Sequence, residues 1–466
     1  MSQQRPEHVE VIIIGVGQAG KPLAQAFADK GHSVALVERN YVGGSCINYG
    51  CTPTKTLLAS AQMAYQARRS REYGIKTGKV TVDFPAVIER KNDVVETFRK
   101  SIEDSLGKAK NLRLIQGEAR FSGPKEVTVS GPDGQTRTLT ADLIFINVGT
   151  RPKEPAITGI DTVNWLTSTT IMDIETLPEH LLIVGGGYIG VEFSQMFRRF
   201  GSQVTLLVRG GQLLPREDPD VAGELAKILT DEGINIKFDA DIQHIDKNGS
   251  DGITIKSKVD GKMTQVSGSH LLVAIGTTPN TDSLNLPAAG IETDEAGFVT
   301  VNDRLETNQT GVYALGDSKG GPAFTHISYD DYRVVRENLL QNGSRTITDR
   351  PVPYTVFTDP QLGRIGLSEQ QARQQGKAVK VAKMPMSWVG RAIETGHTEG
   401  FMKVLIDPDS DQILGAAVLG MEGGELMTML QIAMMGRLPY QQLQDAVFAH
   451  PTLAESFNNL FSKLDQ

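Results

Sequence analysis

Two residues with redox chemistry stand out, Cys46 and Cys51, the only cysteines in a chain of 466 residues. They lie five positions apart in the stretch GGSCINYGCTPTK. Two cysteines cannot build the disulfide framework of a secreted protein, and in a reducing compartment a close pair is more often catalytic than structural. A loop of this length can close, so the sequence predicts a pair that alternates between disulfide and dithiol.

The residues after Cys51 indicate the start of a helix. Thr52 suits the N-cap position and Pro53 suits the first helical position. A thiolate beside the positive end of a helix is stabilised, and its pKa falls below the free value of about 8.5. We therefore expect Cys51 to be reactive at neutral pH.

Two glycine-rich turns have the spacing GxGxxG. The first, GVGQAG, follows the apolar run EVIII, and the second, GGGYIG, follows HLLIV; each turn leads into a helical pattern and then a further strand. In such a turn the first glycine bends the chain, the second lets the backbone approach a pyrophosphate, and the third packs helix on strand. The predicted dinucleotide contacts are Gly15, Gly17 and Gly20 in one turn and Gly185, Gly187 and Gly190 in the other.

The residue at the end of the strand after each turn separates the two sites. Glu38 ends the strand after the first turn, where a carboxylate accepts hydrogen bonds from ribose hydroxyls, so this site suits FAD. Val208 takes the equivalent place after the second turn and is followed by Arg209. The missing acid and the adjacent cation favour a 2′-phosphate, hence NADPH, with Arg216 as a second contact. NADH is the alternative, in which Arg209 is only a solvated surface charge.

The order of these patterns predicts an α/β fold with two Rossmann-like nucleotide-binding domains of the three-layer ββα type, followed by an α+β domain. We expect the FAD-binding domain at residues 1–150 and the NAD(P)H-binding domain at 151–275. Residues 276–350 would return to the FAD-binding domain, and residues 351–466 would form the last domain.

Composition excludes several classes of protein. The net charge of −8 comes from charges of both signs spread along the chain, without the basic patch that nucleic acid requires. The polar N-terminus lacks a signal pattern, and no apolar run approaches the roughly 18 residues of a membrane span. We expect a soluble cytoplasmic protein that binds neither nucleic acid nor membrane, with no metal-ligand cluster.

Four stretches in order, GGSCINYGCTPTK, GGGYIGVE, GVYALGD and HPTLAE, resemble the FAD-dependent pyridine nucleotide-disulfide oxidoreductases. This family includes glutathione reductase, dihydrolipoamide dehydrogenase and mercuric reductase, and the resemblance covers nearly the whole chain. It implies a homodimer that is formed through residues 351–466. It also implies hydride transfer from a pyridine nucleotide to FAD, and electron transfer from there to the cysteine pair.

The resemblance also implies a role for each matching residue. Cys51 would face the flavin, and Cys46 would exchange electrons with the substrate. Lys55 and Glu192 would form an ion pair near the flavin, and Tyr188 would cover the nicotinamide pocket. Asp317 would contact the ribityl chain, and His450 with Glu455 would be an acid-base pair that acts across the dimer. Further cofactor contacts would come from Ser45, Ala119, Gly149 and Gly276.

The substrate is less closely defined. Stretches such as FTHISYDDYR and HPTLAESFNNLF are similar to mercuric-reductase-like flavoproteins that include the reactive-chlorine-resistance proteins. That similarity implies a small oxidant such as hypothiocyanous acid, or a metal ion such as Cu(II), as electron acceptor. Dihydrolipoamide dehydrogenase is the alternative. Classical mercuric reductase fits less well because no spare cysteine pair is present, and glutathione reductase because no cationic set for its substrate is evident. Gly190 stands where NADPH-using glutathione reductases tend to have alanine, which favours NADH.

Overall fold

The structure of the chain is a computed structural model that describes residues 5–249 and 252–464. The chain divides into two compact units, each assembled from three separated segments. The first unit comprises residues 1–56, 86–153 and 276–350, and the second comprises residues 57–85, 154–275 and 351–466.

The helices of the described residues are α1 Gly20–Asp29, α2 Gly44–Asn48, α3 Cys51–Arg69, α4 Phe84–Gly107, α5 Tyr188–Phe200, α6 Pro219–Asp231, α7 Thr325–Leu340, α8 Glu369–Gln374, α9 Gly390–Glu394, α10 Gly423–Met435, α11 Tyr440–Gln444 and α12 Ser456–Phe461. None of these helices is long and apolar enough to span a bilayer.

The strands of the same residues are β1 Glu7–Ile14, β2 Val34–Glu38, β3 Leu112–Gln116, β4 Glu118–Gly123, β5 Glu126–Ser130, β6 Thr136–Ile146, β7 Thr150–Pro152, β8 Trp165–Leu166, β9 His180–Val184, β10 Gln203–Leu207, β11 Asn235–Lys237, β12 Asp241–Asn248, β13 Gly252–Val259, β14 Lys262–Gly268, β15 His270–Val273, β16 Thr277–Pro279, β17 Val312–Ala314, β18 Tyr354–Val356, β19 Gln361–Gly366, β20 Lys380–Pro385, β21 Phe401–Ile406 and β22 Ile413–Gly420.

The first unit is built on one mixed sheet. Its strand order is β3-β2-β1-β6-β5-β4, with β17 also paired to β6. Strands β3, β2, β1, β6 and β17 run parallel, whereas β4 and β5 join as an antiparallel hairpin. The carboxyl ends of the parallel strands share one edge of the sheet, which is where ligands bind in open α/β folds.

Strand β1 explains why this sheet forms at the centre of the unit. Val11 and Ile13 pack into one apolar cluster, and Ile12 and Ile14 pack into another on the opposite face. All four side chains are almost fully buried. Because a strand alternates its side chains between two faces, an uninterrupted apolar run is stable only when both faces are covered.

The described residues of the second unit form three sheets. A parallel sheet has the order β11-β10-β9-β15-β8, an antiparallel sheet has the order β12-β13-β14, and a second antiparallel sheet has the order β18-β19-β22-β21-β20. The last sheet packs with α10 and α12 around a core that includes Met402, Leu430 and Phe457.

The structure confirms the predicted fold class. Two parallel strand-turn-helix-strand units, β1-α1-β2 and β9-α5-β10, occur where the glycine-rich turns were found. The C-terminal segment is a separate arrangement of antiparallel strands and helices, as its alternating pattern indicated. The domain boundaries at 150, 275 and 350 remain predictions.

A substitution at Gly20 tests how closely helix α1 must pack against the first glycine-rich turn. A Cβ atom at Gly20 would lie 2.2 Å from the carbonyl oxygen of Gly15, and the Gly20 N–H donates to Asn147 Oδ1 at 2.9 Å. We expect Gly20→Ala to lower the free energy of unfolding by about 1–3 kcal/mol, because a methyl group is forced against fixed backbone. Urea unfolding of the purified protein measures this change.

The matched control is Gly107→Ala at the end of α4, where a Cβ atom would meet nothing within 4 Å. This variant should stay within about 1 kcal/mol of the parent, in the stabilising direction, because alanine favours helix. Equal effects of the two substitutions would contradict the close approach at Gly20.

Candidate active site

The two cysteines lie on neighbouring helices beside a threonine of α7. Cys46 lies on α2, and Cys51 is the first residue of α3. The Thr325 hydroxyl donates to the Cys46 sulfur at 3.1 Å and lies 3.3 Å from the Cys51 sulfur. One hydroxyl group therefore contacts both sulfurs, although 274 residues separate Thr325 from Cys51.

The surroundings of the pair determine which sulfur ionises first. The hydrogen bond to Cys51, burial and the negative charge of the Cys51 thiolate raise the pKa of Cys46. The hydrogen bond from Thr325 and the charge of Lys55 lower that pKa, but by less than the first three effects raise it. Cys46 therefore keeps its proton while Cys51 carries the charge, because two adjacent thiolates would repel.

The predicted helix start, with Thr52 as N-cap and Pro53 as the first helical residue, is wrong by two positions. Helix α3 begins at Cys51, so Thr52 and Pro53 lie inside its first turn. The Thr52 carbonyl accepts a hydrogen bond from the Thr56 hydroxyl one turn later. Pro53 still suits its place, because the first N–H groups of a helix have no intrahelical acceptor.

Asn48 holds the segment that carries Cys46. Its amide nitrogen donates to the carbonyl oxygens of Val42 and Gly44, each at 2.9 Å. Its amide oxygen accepts from Arg99 Nε of α4, also at 2.9 Å. These bonds tie the turn before Cys46 to a long helix, and neither Asn48 nor Arg99 was identified from the sequence.

The first glycine-rich turn fits a dinucleotide. Gly20 opens α1, and Asn147 joins this turn to β17, because its Oδ1 accepts from Gly20 and its Nδ2 donates to the Leu315 carbonyl at 3.1 Å. A Cβ atom at Gly17 would lie 2.9 Å from Asn147 Oδ1, so a side chain there would fill the space above the turn. Glu38 is buried at the end of β2 and accepts from Val16 N–H at 2.8 Å.

The other predicted FAD contacts of the first unit are spread over several elements. Ser45 lies on α2 one residue before Cys46, Lys55 on α3 four residues after Cys51, and Ala119 on the buried side of β4. Gly149 has a positive φ of 63° directly before β7. Asp317 accepts from the Thr150 hydroxyl at 3.4 Å, and burial raises its pKa.

The second glycine-rich turn lies in the second unit. Gly185 follows β9, and α5 begins at Tyr188, whose side chain is 43% exposed. A Cβ atom at Gly190 would lie 1.9 Å from the Gly185 carbonyl oxygen, so this turn requires glycine at position 190. Glu192 is buried in α5 and accepts from Phe357 N–H at 2.9 Å. Gly276 belongs to the first unit and has a φ of 113°.

The loop after β10 carries both predicted phosphate contacts. Val208 is buried against the second glycine-rich turn, since a Cβ atom at Gly186 of that turn would lie 2.7 Å from Val208 Cγ1. Leu214 N–H donates to the Gly186 carbonyl at 2.9 Å. Arg209 and Arg216, which follow these two residues, are exposed, and neither forms an ion pair with any residue that the structure describes.

Buried ion pairs anchor the residues that follow Arg216. Glu217 pairs with Arg364 at 2.9 Å, and Asp218 pairs with Lys403 at 2.9 Å. Lys403 is only 2% exposed and also contacts Glu369 at 2.8 Å. Breaking a buried pair of this kind costs about 3–5 kcal/mol, so the position of this loop is firmly held.

His450 and Glu455 form a hydrogen-bonded pair near the C-terminus. His450 Nδ1 lies 3.1 and 3.0 Å from the two carboxylate oxygens of Glu455. The histidine side chain is 79% exposed and the carboxylate 24%. A carboxylate at Nδ1 holds the imidazole in one tautomer and leaves Nε2 for proton exchange.

The described residues contain no group of three or more histidine, cysteine, aspartate or glutamate side chains arranged to hold a metal ion.

Substitutions at Cys51 and Thr325 should move the pKa of Cys46 in opposite directions. Cys51→Ala removes a hydrogen bond and a negative charge that raise it, so Cys46 should react at lower pH. Thr325→Val removes a hydrogen bond that lowers it, so Cys46 should react at higher pH. Iodoacetamide labelling of the reduced protein over a pH series, read by mass spectrometry of the Cys46 peptide, gives both midpoints.

Thr97→Val, at an exposed threonine of α4, is the control and should leave the midpoint unchanged. A midpoint that moves the same way in Cys51→Ala and Thr325→Val would contradict the assigned order of ionisation.

Comparison with known proteins identifies the family. The profile described as pyridine nucleotide-disulphide oxidoreductase matches residues 9–331, and the dimerisation domain of the same family matches residues 352–461. The chain is 39% identical to the probable pyridine nucleotide-disulfide oxidoreductase RclA of Escherichia coli strain K12, covering 97% of this chain and 98% of that protein.

Two further groups of relatives are more distant. A mercuric reductase of Lysinibacillus sphaericus is 32% identical, covering 96% of this chain and 81% of that protein. A dihydrolipoyl dehydrogenase of Thermus scotoductus is 34% identical, covering 96% and 94%.

The solved structures agree with the sequence comparison. The Cu(II) complex of the HOCl-induced flavoprotein disulfide reductase RclA from Escherichia coli superposes with a TM-score of 0.90 at 38% identity, covering 98% of this chain and 99% of that chain. The family is FAD-dependent and uses pyridine nucleotides. With its paired sulfurs, its two glycine-rich turns and these matches over almost its full length, the chain belongs to the pyridine nucleotide-disulphide oxidoreductases.

Proposed function

We propose that this protein is an NADPH-driven FAD oxidoreductase that passes electrons through the Cys46–Cys51 pair to a small oxidant of the hypothiocyanous acid type. The observation that carries the proposal is the contact of one Thr325 hydroxyl with both sulfurs, of which Cys51 ionises first. Such a pair provides one thiolate and one thiol once the first proton is lost, as a two-electron disulfide centre needs.

FAD, when bound, supplies two-electron transfer between a nicotinamide and a disulfide. The residues that would hold it are the first glycine-rich turn, Glu38 for the ribose and Asp317 for the ribityl chain. Ser45, Ala119 and Gly149 would line the same site, and Lys55 with Glu192 would act near the flavin ring. Gly185, Gly187, Gly190 and Gly276 would border the nicotinamide nucleotide, and Tyr188 would cover its ring.

Cys46 is the residue that would meet the oxidant. Its thiolate would attack the sulfur of hypothiocyanous acid and displace hydroxide, which becomes water when a proton arrives. Cys51 would then attack the Cys46 sulfur, release thiocyanate and close the disulfide. His450, oriented by Glu455, is suited to receive the Cys46 proton and return it to the leaving hydroxide.

A homodimer accounts for the exposure of His450 and of α10. The imidazole is 79% exposed in the single chain, which leaves its Nε2 available to the Cys46 of a second copy. Helix α10 exposes an apolar row, with Met429 at 42%, Ile432 at 62% and Met435 at 68%. Apolar side chains at helical spacing are typical of an interface, and this helix lies within the dimerisation domain of the family.

The loop after β10 supports NADPH over NADH. Arg209 and Arg216 are exposed and form no ion pair with the residues that the structure describes. They follow, by one and two residues, Val208 and Leu214, which pack on the second glycine-rich turn, and Val208 replaces the acid that would bind a free ribose. Arginine binds phosphate through bidentate, charge-assisted hydrogen bonds.

Arg209→Gln and Arg216→Gln should each raise KM for NADPH about tenfold, because a hydrogen bond to a charged group contributes about 1.5–3 kcal/mol. KM for NADH should change less than about twofold, because NADH lacks the 2′-phosphate. Steady-state kinetics with both nucleotides measures the two values. Arg113→Gln is the control, since this arginine is also exposed but pairs with Glu7 on another sheet edge. An equal rise for both nucleotides would contradict a 2′-phosphate contact.

The choice of oxidant is tested on the reduced enzyme. The protein is reduced anaerobically with NADPH and mixed in a stopped-flow instrument with hypothiocyanite, oxidised glutathione, lipoamide, Hg(II) or Cu(II). We expect hypothiocyanite to reoxidise it fastest, and Cys46→Ser to abolish this reaction. His450→Gln should slow it about 10²-fold or more, because general acid–base catalysis is lost. His397→Gln, at a histidine whose Nε2 lies 3.3 Å from Gln66 Nε2, is the control and should leave the rate unchanged.

Dihydrolipoamide dehydrogenase is the second candidate, since it uses the same cysteines, histidine and glutamate and is represented among the relatives. Preference for NADH together with fastest reoxidation by lipoamide would establish it and overturn the oxidant proposal. Fastest reoxidation by Cu(II) would assign a metal ion as substrate, in line with the Cu(II) complex of the Escherichia coli relative.

A further inference from the structure

The turn that carries Arg216 is held at both of its ends. Glu217 N–H donates to the Leu214 carbonyl at 2.8 Å, so Pro215 and Arg216 occupy the two central positions of a four-residue turn. At the start of this turn, Leu214 N–H donates to the Gly186 carbonyl of the second glycine-rich turn at 2.9 Å. Two backbone hydrogen bonds therefore connect the exposed Arg216 to the glycine-rich turn.

Leu214 adopts a backbone conformation that a branched side chain disfavours. Its φ is 45°, in the left-handed region that favours glycine, and its side chain is buried. Strained residues of this kind persist only where the surrounding structure fixes them, and they cluster at sites that bind ligands. The position of the turn is thus imposed by its neighbours and is not a preference of its own residues.

Strands β18, β19 and β21 supply those neighbours at the other end of the turn. The Tyr354 hydroxyl of β18 donates to Glu217 Oε1, and Arg364 Nε of β19 lies 2.9 Å from Glu217 Oε2. Asp218 accepts from Lys403 Nζ of β21 at 2.9 Å, and from two N–H groups of α8 at 2.9 and 3.0 Å. The two residues after Arg216 are therefore fixed by side chains that follow them by more than 130 positions.

Stability alone does not explain two buried ion pairs beside a surface turn. The four side chains of the Glu217–Arg364 and Asp218–Lys403 pairs are at most 7% exposed. Taking such charges out of water costs about as much as their attraction returns, and apolar residues of similar volume often stabilise a protein as well or better. The pairs do fix geometry, because each carboxylate is held where its cation lies. The residue whose place they fix is Arg216, which directly precedes Glu217.

We propose that Tyr354 and Lys403 are positioning residues for nucleotide selection, which hold Glu217 and Asp218 so that Arg216 meets the 2′-phosphate of NADPH. The inference rests on the 2′-phosphate contact of the proposed function. It assigns part of the nucleotide preference to the dimerisation domain, which contains both residues. Neither side chain has to touch the nucleotide. Their loss would release the turn, which weakens the phosphate contact and leaves the contacts that NADPH and NADH share.

The test measures the dissociation constants of NADP⁺ and NAD⁺ for the oxidised, FAD-loaded protein by isothermal titration calorimetry. Tyr354→Phe should weaken NADP⁺ binding about threefold, within the range that one hydrogen bond contributes. Lys403→Met should weaken it about tenfold, because a hydrogen bond between charged groups contributes more. In both variants NAD⁺ affinity should change less than about twofold, because NAD⁺ lacks the 2′-phosphate.

A double variant distinguishes positioning from an independent effect. Arg216→Gln alone should weaken NADP⁺ binding about tenfold. Adding Tyr354→Phe should cause no further loss, because residues that act through one contact are not additive. Lys383→Met is the matched control, since this lysine is 43% exposed and pairs with Asp220 of α6 at 2.7 Å. Its two dissociation constants should equal those of the parent.

Three outcomes would overturn the inference. An equal loss of NADP⁺ and NAD⁺ affinity would mean that Tyr354 and Lys403 only support the fold. Additive losses in the double variant would mean that Tyr354 does not act through Arg216, and parental affinities in both single variants would mean that the turn is held without them. Far-UV circular dichroism verifies folding, and Tyr354→Phe carries the test should Lys403→Met fail to fold. Parental NADP⁺ affinity in Arg216→Gln would instead refute the phosphate contact of the proposed function.

Discussion

The contact of one hydroxyl group with both cysteine sulfurs constrains where three helices of this fold can lie. Two sulfurs that exchange a bond and share one negative charge must lie within a few ångströms, and Thr325 contacts both of them. The three residues come from three helices, so α2, α3 and α7 have to be placed together with little tolerance. Hydrogen bonds from Asn48 fix the segment of α2, and Asp331 fixes α7 to the Gly316 turn.

The cofactor turns depend on a different kind of constraint. In the first unit the Asn147 side chain joins two elements, since it accepts from an N–H of α1 and donates to a carbonyl after β17. In the second unit buried ion pairs hold the corresponding segment, because Glu217, Asp218 and Lys403 fix the residues next to Arg216.

Features that depend on local spacing were accessible from the sequence. The glycine turns, Glu38 at the end of β2 and the cysteine pair are defined within about 25 residues, where the geometry of strand, turn and helix is repetitive. Helix α3 begins two residues earlier than its capping residues suggested, which is a typical error at helix ends.

Features that depend on contacts between distant residues could not be predicted from the sequence. Thr325 is 279 residues from Cys46, and Asn147 is 127 residues from Gly20. Lys319 reads in the sequence as an ordinary surface lysine in SKGG, and only the fold reveals that its side chain is 5% exposed beside Asp331. Hydrophobic periodicity in the sequence does not predict such contacts, because they arise from the packing of whole elements and not from neighbouring residues.

The split construction of the first unit has a consequence for the order in which the protein is made. Strand β1 leaves the ribosome early, but β17, which pairs with β6 in the same sheet, and helix α7 follow some 300 residues later. At a synthesis rate of about 5–20 residues per second, the nascent sheet would wait on the order of 15–60 s for its last strand. During that interval the cysteines are made but lack Thr325, so oxidants meet them before the hydroxyl that distinguishes the two sulfurs is in place. Chaperone cover or a reducing environment during translation therefore matters more for this enzyme than for one whose redox site is complete within a single contiguous segment.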